Sequence, residues 1–270
     1  MHKWFLLSLL LLPLPMAAQF DFPVLAGRAA AMGGAAVALP DHVSALDNIA
    51  GMARLQSTSV ALAYQQQFLM QGMGYASAAA AVPVGFGAFA FSAVHYGNSD
   101  YNEQMLSLAY ALPLGKQLSL GAAFHYLHAS TSDPYYDPQH LLTFSVALQY
   151  APSDKLTVGF KAYNPSAVAL QTASQLYVPA RFNLGASYWL ADELLAVVEV
   201  EKSLYDDASL RCGLEYVFFD FYAVRMGFST APVCYTFGLG MQRQHLGVDL
   251  VAQYHSVLGM SPLLALSYRF

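Results

Sequence analysis

From about residue 57 onward, apolar residues alternate with small or polar ones at a period of two. In residues 118–126, for example, Leu120 and Phe124 alternate with Ser119 and His125. Side chains on a β-strand point alternately to opposite faces, whereas those on a helix repeat every 3.6 residues. The alternation therefore predicts strands whose two faces lie in different environments.

Fourteen such segments follow one another, and most are 9 to 12 residues long. A typical soluble strand has roughly 5–6 residues, whereas a tilted strand needs about 9–11 to cross a bilayer. The lengths therefore favour membrane-spanning strands. The predicted strands are 57–65, 73–82, 85–96, 101–112, 117–128, 139–150, 155–163, 177–190, 193–203, 208–217, 220–228, 233–242, 245–255 and 262–270.

The predicted connections alternate between short turns and longer loops, such as 130–138 and 164–175. Short turns at one end and longer loops at the other are typical of transmembrane barrels. Lipid offers no hydrogen-bond partner, so strands can span it only in a closed sheet without edges. We therefore predict an all-β fold, a transmembrane antiparallel β-barrel of about 14 strands, with apolar side chains facing lipid and small or polar ones facing the lumen.

The N-terminal residues have the pattern of a cleavable signal sequence. His2 and Lys3 precede an apolar run from Trp4 to Leu14, and small residues precede Gln19. Such an order is typical of a secretory signal peptide, predicted over residues 1–18. A membrane anchor is the alternative, but the run is short, is interrupted by Pro13 and is followed by Pro15.

Residues 19–56 do not alternate and are rich in glycine and alanine. Small residues suit a segment in which backbone lies against backbone. We predict a plug or cap over 19–56 and the barrel over 57–270.

Composition narrows the function class. Hydrophobic residues make up 56% of the chain and charged residues 11%, against about 25% charged in an ordinary soluble domain. After the N-terminus no uncharged apolar run reaches the length of a transmembrane helix, about 18 residues. The net charge of −5 and the twelve scattered Lys and Arg residues give no basic patch, which excludes nucleic acid as an expected partner.

Charged residues recur on the inward face of the predicted strands. We favour a structural role for these charged residues, because buried charges need partners of opposite sign. A polar channel or an acid–base site is the alternative. Arg211 is expected to pair with Glu199 or Glu201, and Glu215 with Arg225. The predicted lumen charges are Lys161, Arg181, Glu199, Glu201, Arg211, Glu215, Arg225, Asp249 and Arg269.

No catalytic motif or cofactor-binding loop is recognisable, so the chain is predicted not to be an enzyme and to need no cofactor. His125 and His128 are three positions apart and should face opposite sides of their strand, so no metal site is expected. Cys212 is expected outside the barrel and Cys234 inside, which leaves the two unable to form a disulfide.

The last strand carries a further expectation. Its outward face ends in an aromatic residue, as does the signal by which barrel-assembly machinery recognises outer-membrane barrels. The predicted assembly signal is Leu264, Leu266, Tyr268 and Phe270. Among the loops, the one with Tyr135 and Tyr136 is a candidate recognition surface, with membership of the interfacial aromatic girdle as the alternative.

The N-terminal segment resembles the opening of the FadL-like outer-membrane superfamily, and of its PorV/PorQ branch in particular. That opening combines an Arg-Ala-Ala-x-Met-Gly-Gly segment, an acidic turn and an Asn-Pro-Ala-Gly type motif, although Ile49 stands where proline is usual. The matching plug-motif residues are Arg28, Met32, Gly33, Gly34, Asp41, Asn48, Ala50 and Gly51.

The resemblance implies a bacterial outer-membrane barrel with both termini in the periplasm, in contact with outer-membrane lipid. For the PorV/PorQ branch it implies work with type IX secretion, engaging secretion-system or surface proteins. The short loops lead us to put this hypothesis first. The alternatives are a FadL-like channel for hydrophobic small molecules, and a structural barrel or small nonspecific pore.

Overall fold

The computed structural model describes residues 20–39, 47–168, 178–204 and 206–270. The predicted signal peptide and Asp41 lie outside these residues. The described chain forms a closed barrel of fourteen antiparallel strands, in which each strand pairs with its sequence neighbours and β1 pairs with β14. The predicted fold class is confirmed.

Helical structure is confined to short elements, and no helix of the described residues is long and apolar enough to cross a membrane. Helix α1 spans Gly27–Ala31, and two 3₁₀ helices span Ile49–Arg54 and Gln67–Leu69. The strands are β1 Ser59–Gln66, β2 Gly74–Val84, β3 Gly87–Gly97, β4 Tyr101–Leu114, β5 Leu118–Thr131, β6 Gln139–Tyr150, β7 Leu156–Tyr163, β8 Arg181–Ala191, β9 Leu194–Ser203, β10 Ser209–Phe218, β11 Tyr222–Thr230, β12 Val233–Arg243, β13 Leu246–His255 and β14 Gly259–Arg269.

Two strand starts differ most from the prediction. β8 begins at Arg181 rather than 177, and the preceding Val178 is buried with its carbonyl accepting a hydrogen bond from Asn164 Nδ2. β14 begins at Gly259, three residues earlier than predicted, and contains Pro262. Proline cannot donate to a ladder, so the sequence pattern places the strand start at that residue although the strand continues through it.

The two ends of the barrel differ. The end at which β1 starts and β14 finishes, here the terminal end, carries short turns such as Gly85–Phe86 between β2 and β3. The opposite end, here the loop end, carries the longer connections 132–138 and 164–180. The longest connections therefore all lie at the loop end, as predicted, although that end also carries short turns such as 231–232 between β11 and β12. The even number of strands places the start of β1 and the end of β14 at the same end of the barrel.

The outer wall is apolar and exposed. Phe124 and Leu142, on neighbouring strands, have 72% and 71% of their surface exposed, whereas the inward Ser119 and Ser145 are buried. Exposed aromatic residues lie near both ends of the apolar band, the arrangement found where a barrel meets two membrane interfaces. They are Tyr64, Tyr101, Tyr126, Tyr235 and Tyr254 near the loop end, and Phe86, Tyr150, Tyr188, Tyr216, Phe219, Tyr222, Tyr268 and Phe270 near the terminal end.

The described residues ahead of β1, 20–39 and 47–58, lie inside the barrel and are called the plug. The plug starts in the loop-end half, where the backbone N–H of Phe20 donates to Glu103 of β4. It reaches the terminal end at Arg54, whose guanidinium donates to the carbonyls of Gly115 and Leu118. The core of the protein is therefore the contact between the plug and the inner wall, with Met32 and Met52 fully buried.

Candidate functional site

Glycines on the inner wall make room for the plug. A Cβ added at any one of them would come within 3 Å of a plug atom, and for Gly159 and Gly227 the atoms met include plug backbone. Gly159 lies directly opposite Gly185, and Gly213 directly opposite Gly227. The period-two pattern places these residues on the inward face, but it does not show what they contact. We call the set the glycine belt: Gly121, Gly159, Gly185, Gly213, Gly227 and Gly238.

Buried polar side chains of the wall bind the plug backbone. The carboxylate of Glu199 accepts hydrogen bonds from the N–H groups of Ala36 and Val37, both 2.8 Å long. Ser187 Oγ donates to the carbonyl of Ala38 at 2.8 Å. An irregular segment in a lumen needs such partners, because an unpaired buried backbone group costs as much as a lost hydrogen bond. Glu199 therefore acts as an anchor for the plug.

Thr236 offers a direct test of this anchoring. Its hydroxyl accepts from Gly33 N at 2.9 Å and donates to Ala31 O at 2.8 Å, and the residue is 1% exposed. Thr236→Val keeps the shape but leaves both backbone groups unpaired, at a cost of about 1–3 kcal/mol. We expect faster hydrogen–deuterium exchange in peptides covering residues 26–39, with unchanged exchange in the strands. Thr157→Val, at the terminal end of β7, is the control; equal exchange in both variants contradicts the assignment.

A chain of charges joins the plug to three strands. Arg28 Nη2 lies 2.6 Å from Glu215 Oε1, and Arg225 Nε lies 2.6 Å from Glu215 Oε2. Arg225 also pairs with Asp249. The pairing of Glu215 with Arg225 corresponds to the sequence-based expectation. The contact of Arg28 with Glu215 was not expected, because the strand pattern does not predict the course of the plug through the lumen. The sequence identifies Arg28 only as a plug-motif residue.

A second group of charges lies toward the loop end. Arg211 pairs with Glu201, and its other terminal nitrogen lies 3.7 Å from Glu199. Lys161 Nζ donates to the carbonyl of Asp47 at 2.8 Å, and Arg181 Nη1 lies 2.8 Å from Asp21 of the plug. In each case a wall charge contacts the plug or another wall charge.

The carboxyl of Asp47 is itself part of the plug. Its Oδ2 accepts from Ala26 N at 2.9 Å. Burial raises the pKa of Asp47 above its ordinary value, and the Lys161 ammonium opposes this shift. The structure thus favours a structural role for the inward charges over an open polar channel.

The plug-motif residues lie where the plug backbone turns sharply or forms its short 3₁₀ helix. Gly33 and Gly34 have φ angles of 72° and 79°, a left-handed conformation that favours glycine. Asn48 caps the 3₁₀ helix by accepting from Gly51 N and also donates to Leu39 O. Ala50 is buried in the same helix.

The remaining predicted residues lie at the terminal end. Arg269 is on the inward face of β14, but it lies at the rim and donates to the carbonyl of Gln244 at 3.4 Å, so it is not part of the lumen network. The predicted assembly signal faces outward along β14, and all four of its residues are exposed. Recognition by assembly machinery stays a prediction.

Between the plug and the loop end lies a chamber of about 720 Å³. Ligand-binding cavities in proteins commonly measure about 300–1,000 Å³. One side of the chamber is apolar and is formed by plug residue Phe22 together with Tyr75, Val94 and Met105 of β2 to β4. The other side carries the charges of β7 to β10 that hold the plug. The apolar side of the chamber is therefore the side whose residues are not engaged in ion pairs with the plug.

Besides Gln67 Oε1, which belongs to a half-buried residue, two polar atoms on buried residues of the chamber lining have no hydrogen-bond partner among the described residues. They are Gln65 Oε1 and Tyr163 Oη, on residues that are 3% and 6% exposed. Buried polar atoms are normally paired, so these two are available to a molecule inside the chamber. Both residues lie outside the sequence-based predictions.

The histidines and cysteines are placed as follows. His125 faces the chamber and bonds through its two ring nitrogens to Ser107 and Ser145, at 2.7 Å and 2.8 Å. His128 faces outward. No group of three or more His, Cys, Asp and Glu side chains suited to a metal occurs in the described part of the chain. Cys212 and Cys234 are free.

Known structures resemble this barrel over nearly their whole length. A CymD monoaromatic hydrocarbon channel has a TM-score of 0.68 at 10% identity, covering 93% of this chain and 99% of the other. The toluene transporter TodX of P. putida has a TM-score of 0.66 at 10% identity, covering 92% and 98%. A FadL homologue of Pseudomonas aeruginosa has a TM-score of 0.65 at 13% identity, with the same coverage.

At such low identity the likeness establishes the fold, which is that of FadL-type outer-membrane channels. No family model matches the sequence, and no curated protein matches it either.

Proposed function

We propose that this protein is a bacterial outer-membrane channel that binds a hydrophobic small molecule in its lumen and passes it across the membrane when the plug moves. The observation that carries the proposal is the chamber of about 720 Å³ above a plug held by side-chain contacts. The apolar band between two aromatic girdles supports a membrane location. The likeness to hydrocarbon and toluene channels supports a hydrophobic cargo.

The chemistry of the chamber agrees with such a cargo. Its arginines already have partners: Arg181 contacts Asp21, and Arg211 contacts Glu201. Phe22, Val94 and Met105 leave an apolar wall for the cargo, with Gln65 and Tyr163 available for a polar group. Burial of apolar ligand surface contributes roughly 25 cal/mol per Å², so a small aromatic molecule would bind by contact with this wall.

The experiment is uptake of radiolabelled toluene by a Gram-negative host that expresses the protein and lacks its own toluene channel. Ser92→Trp fills the chamber from β3, whereas Ala93→Trp places the same side chain one position along on the outer wall. We expect uptake above the empty-vector level for the wild-type protein and Ala93→Trp, and a loss of at least about tenfold for Ser92→Trp, equivalent to 1.4 kcal/mol. Equal uptake by both variants, or none by the wild type, rejects the proposal.

A second candidate function is the engagement of exported or surface proteins that the PorV/PorQ resemblance implies. The loop between β5 and β6 supports it, because Tyr135 and Tyr136 are 92% and 67% exposed at its tip. Gentle solubilisation of the native protein, followed by isolation, distinguishes the two. A stoichiometric protein partner that Tyr135→Ala and Tyr136→Ala release favours this candidate; a clean single chain counts against it.

A further inference from the structure

Two histidines and a tyrosine meet on the outer wall of the barrel toward the loop end. His128 of β5 and His140 of β6 are directly opposite each other across the strand pair. Their rings stack at 4.7 Å between centroids, and their Nδ1 atoms are 3.3 Å apart. Tyr126 Oη lies 2.6 Å from His140 Nδ1. His140 Nδ1 is thus within contact distance of both His128 Nδ1 and Tyr126 Oη, on the outside of the barrel.

The geometry points to a divalent-cation site: we infer that His128 and His140 bind a zinc ion between their Nδ1 atoms. Imidazole nitrogens lie at about 2.0–2.1 Å from zinc, and two of them in a tetrahedral shell are therefore about 3.3–3.4 Å apart. The observed separation of 3.3 Å matches this value. Ordinary hydrogen bonding of two imidazoles at the barrel surface is the competing interpretation, and it needs no ion.

The ligand set fits the ion chemically. Zinc takes the lone pairs of both Nδ1 atoms, so each imidazole then carries its proton on Nε2, and no net proton is lost. Tyr126 Oη, at 2.6 Å, is hydrogen-bonded to His140 Nδ1 and is too close to it for both atoms to bind one ion. The ion therefore displaces this hydrogen bond, and water fills the remaining coordination. Imidazole also suits copper and nickel, whereas calcium and magnesium prefer oxygen ligands. The site therefore selects zinc and its neighbours over the common hard cations.

The position of the site allows an ion to reach it. His140 and Tyr126 are exposed, and His128 is half-buried on the same face. All three lie near the loop-end girdle, where the apolar band ends and a polar phase begins. An ion bound there would link β5 to β6 close to their connecting loop. Because the ion would bind only the folded arrangement, it would stabilise the barrel.

The test is calorimetric titration of zinc chloride into the purified protein in detergent, with no histidine tag and after treatment with a chelator. We expect one zinc per chain for the wild type, together with a zinc-dependent rise in the unfolding temperature. His128→Ala and His140→Ala should each lower the affinity at least about tenfold, as loss of 1.4 kcal/mol does. Tyr126→Phe should have a smaller effect.

His245→Ala, an exposed histidine in the terminal-end turn between β12 and β13, is the matched control and should bind zinc like the wild type. Heat-modifiable migration on gels establishes that every variant is folded. Absence of zinc uptake by the wild type overturns the inference. So does unaltered uptake by folded His128→Ala and His140→Ala, because the ion then binds elsewhere.

Discussion

Replacing Gly159 with alanine is expected to displace the plug from the lumen, so that the barrel, which the plug blocks in the wild-type protein, conducts ions. The new Cβ would overlap the backbone carbonyl of Val37 in the plug. β7 is paired on both sides, with β6 and β8, so the wall cannot give way, and Gly185 across the pair already lies against Val37. Overpacking a close contact costs about 1–3 kcal/mol, which raises the population of the displaced plug by about 5- to 150-fold.

The measurement is single-channel conductance in planar bilayers, where we expect frequent openings for Gly159→Ala and rare ones for the wild type. Gly85→Ala is the control, because a Cβ added in that turn meets nothing within 4 Å. Folded Gly159→Ala protein that stays as closed as the control would show that the plug does not depend on the glycine belt.

The strand pattern was the part of the fold most accessible from sequence. Every strand must alternate between lipid-facing and inward-facing residues, because a register shift of one residue would turn its apolar side chains toward the lumen. The prediction of fourteen strands follows from that one constraint. The predicted strand starts differ most from the structure at two places. β14 contains Pro262, which cannot donate a ladder hydrogen bond, and Val178 precedes β8 and is buried outside the strand.

The site was less accessible, because its contacts join residues far apart in sequence. The inward face of β10 and β11 predicted that Glu215 meets Arg225, since neighbouring strands have a fixed relation. No such relation exists for the plug, so the contact of Arg28 with Glu215, 187 positions away, could not be derived. The spacing along β5 relates His128 only to His125, whereas its partner His140 lies across the strand pair. Cross-strand register was the missing information.

Removal of the Glu215 carboxylate is expected to be the most damaging single change to the charge network. Glu215 is 2% exposed and lies between the guanidiniums of Arg28 and Arg225. Glu215→Ala removes the carboxylate that both guanidiniums contact, while Arg225 keeps its contact with Asp249. Breaking a buried ion pair from one side costs about 3–5 kcal/mol. We therefore expect a lower unfolding temperature for the barrel as well as an open channel, and Glu193→Ala in an exposed turn should change neither.

A double-mutant cycle separates this electrostatic account from simple loss of packing. Arg28→Ala removes the plug side of the network and keeps Glu215 paired with Arg225, so it should open the channel while leaving the barrel close to wild-type stability. The double variant Arg28→Ala with Glu215→Ala removes one charge of each sign and leaves Arg225 paired with Asp249. It should therefore unfold at a higher temperature than Glu215→Ala alone, a coupling that contacting charges show and independent sites do not. Additive losses would mean that Glu215 stabilises the protein by filling space, and that uncompensated positive charge is not what drives the plug out.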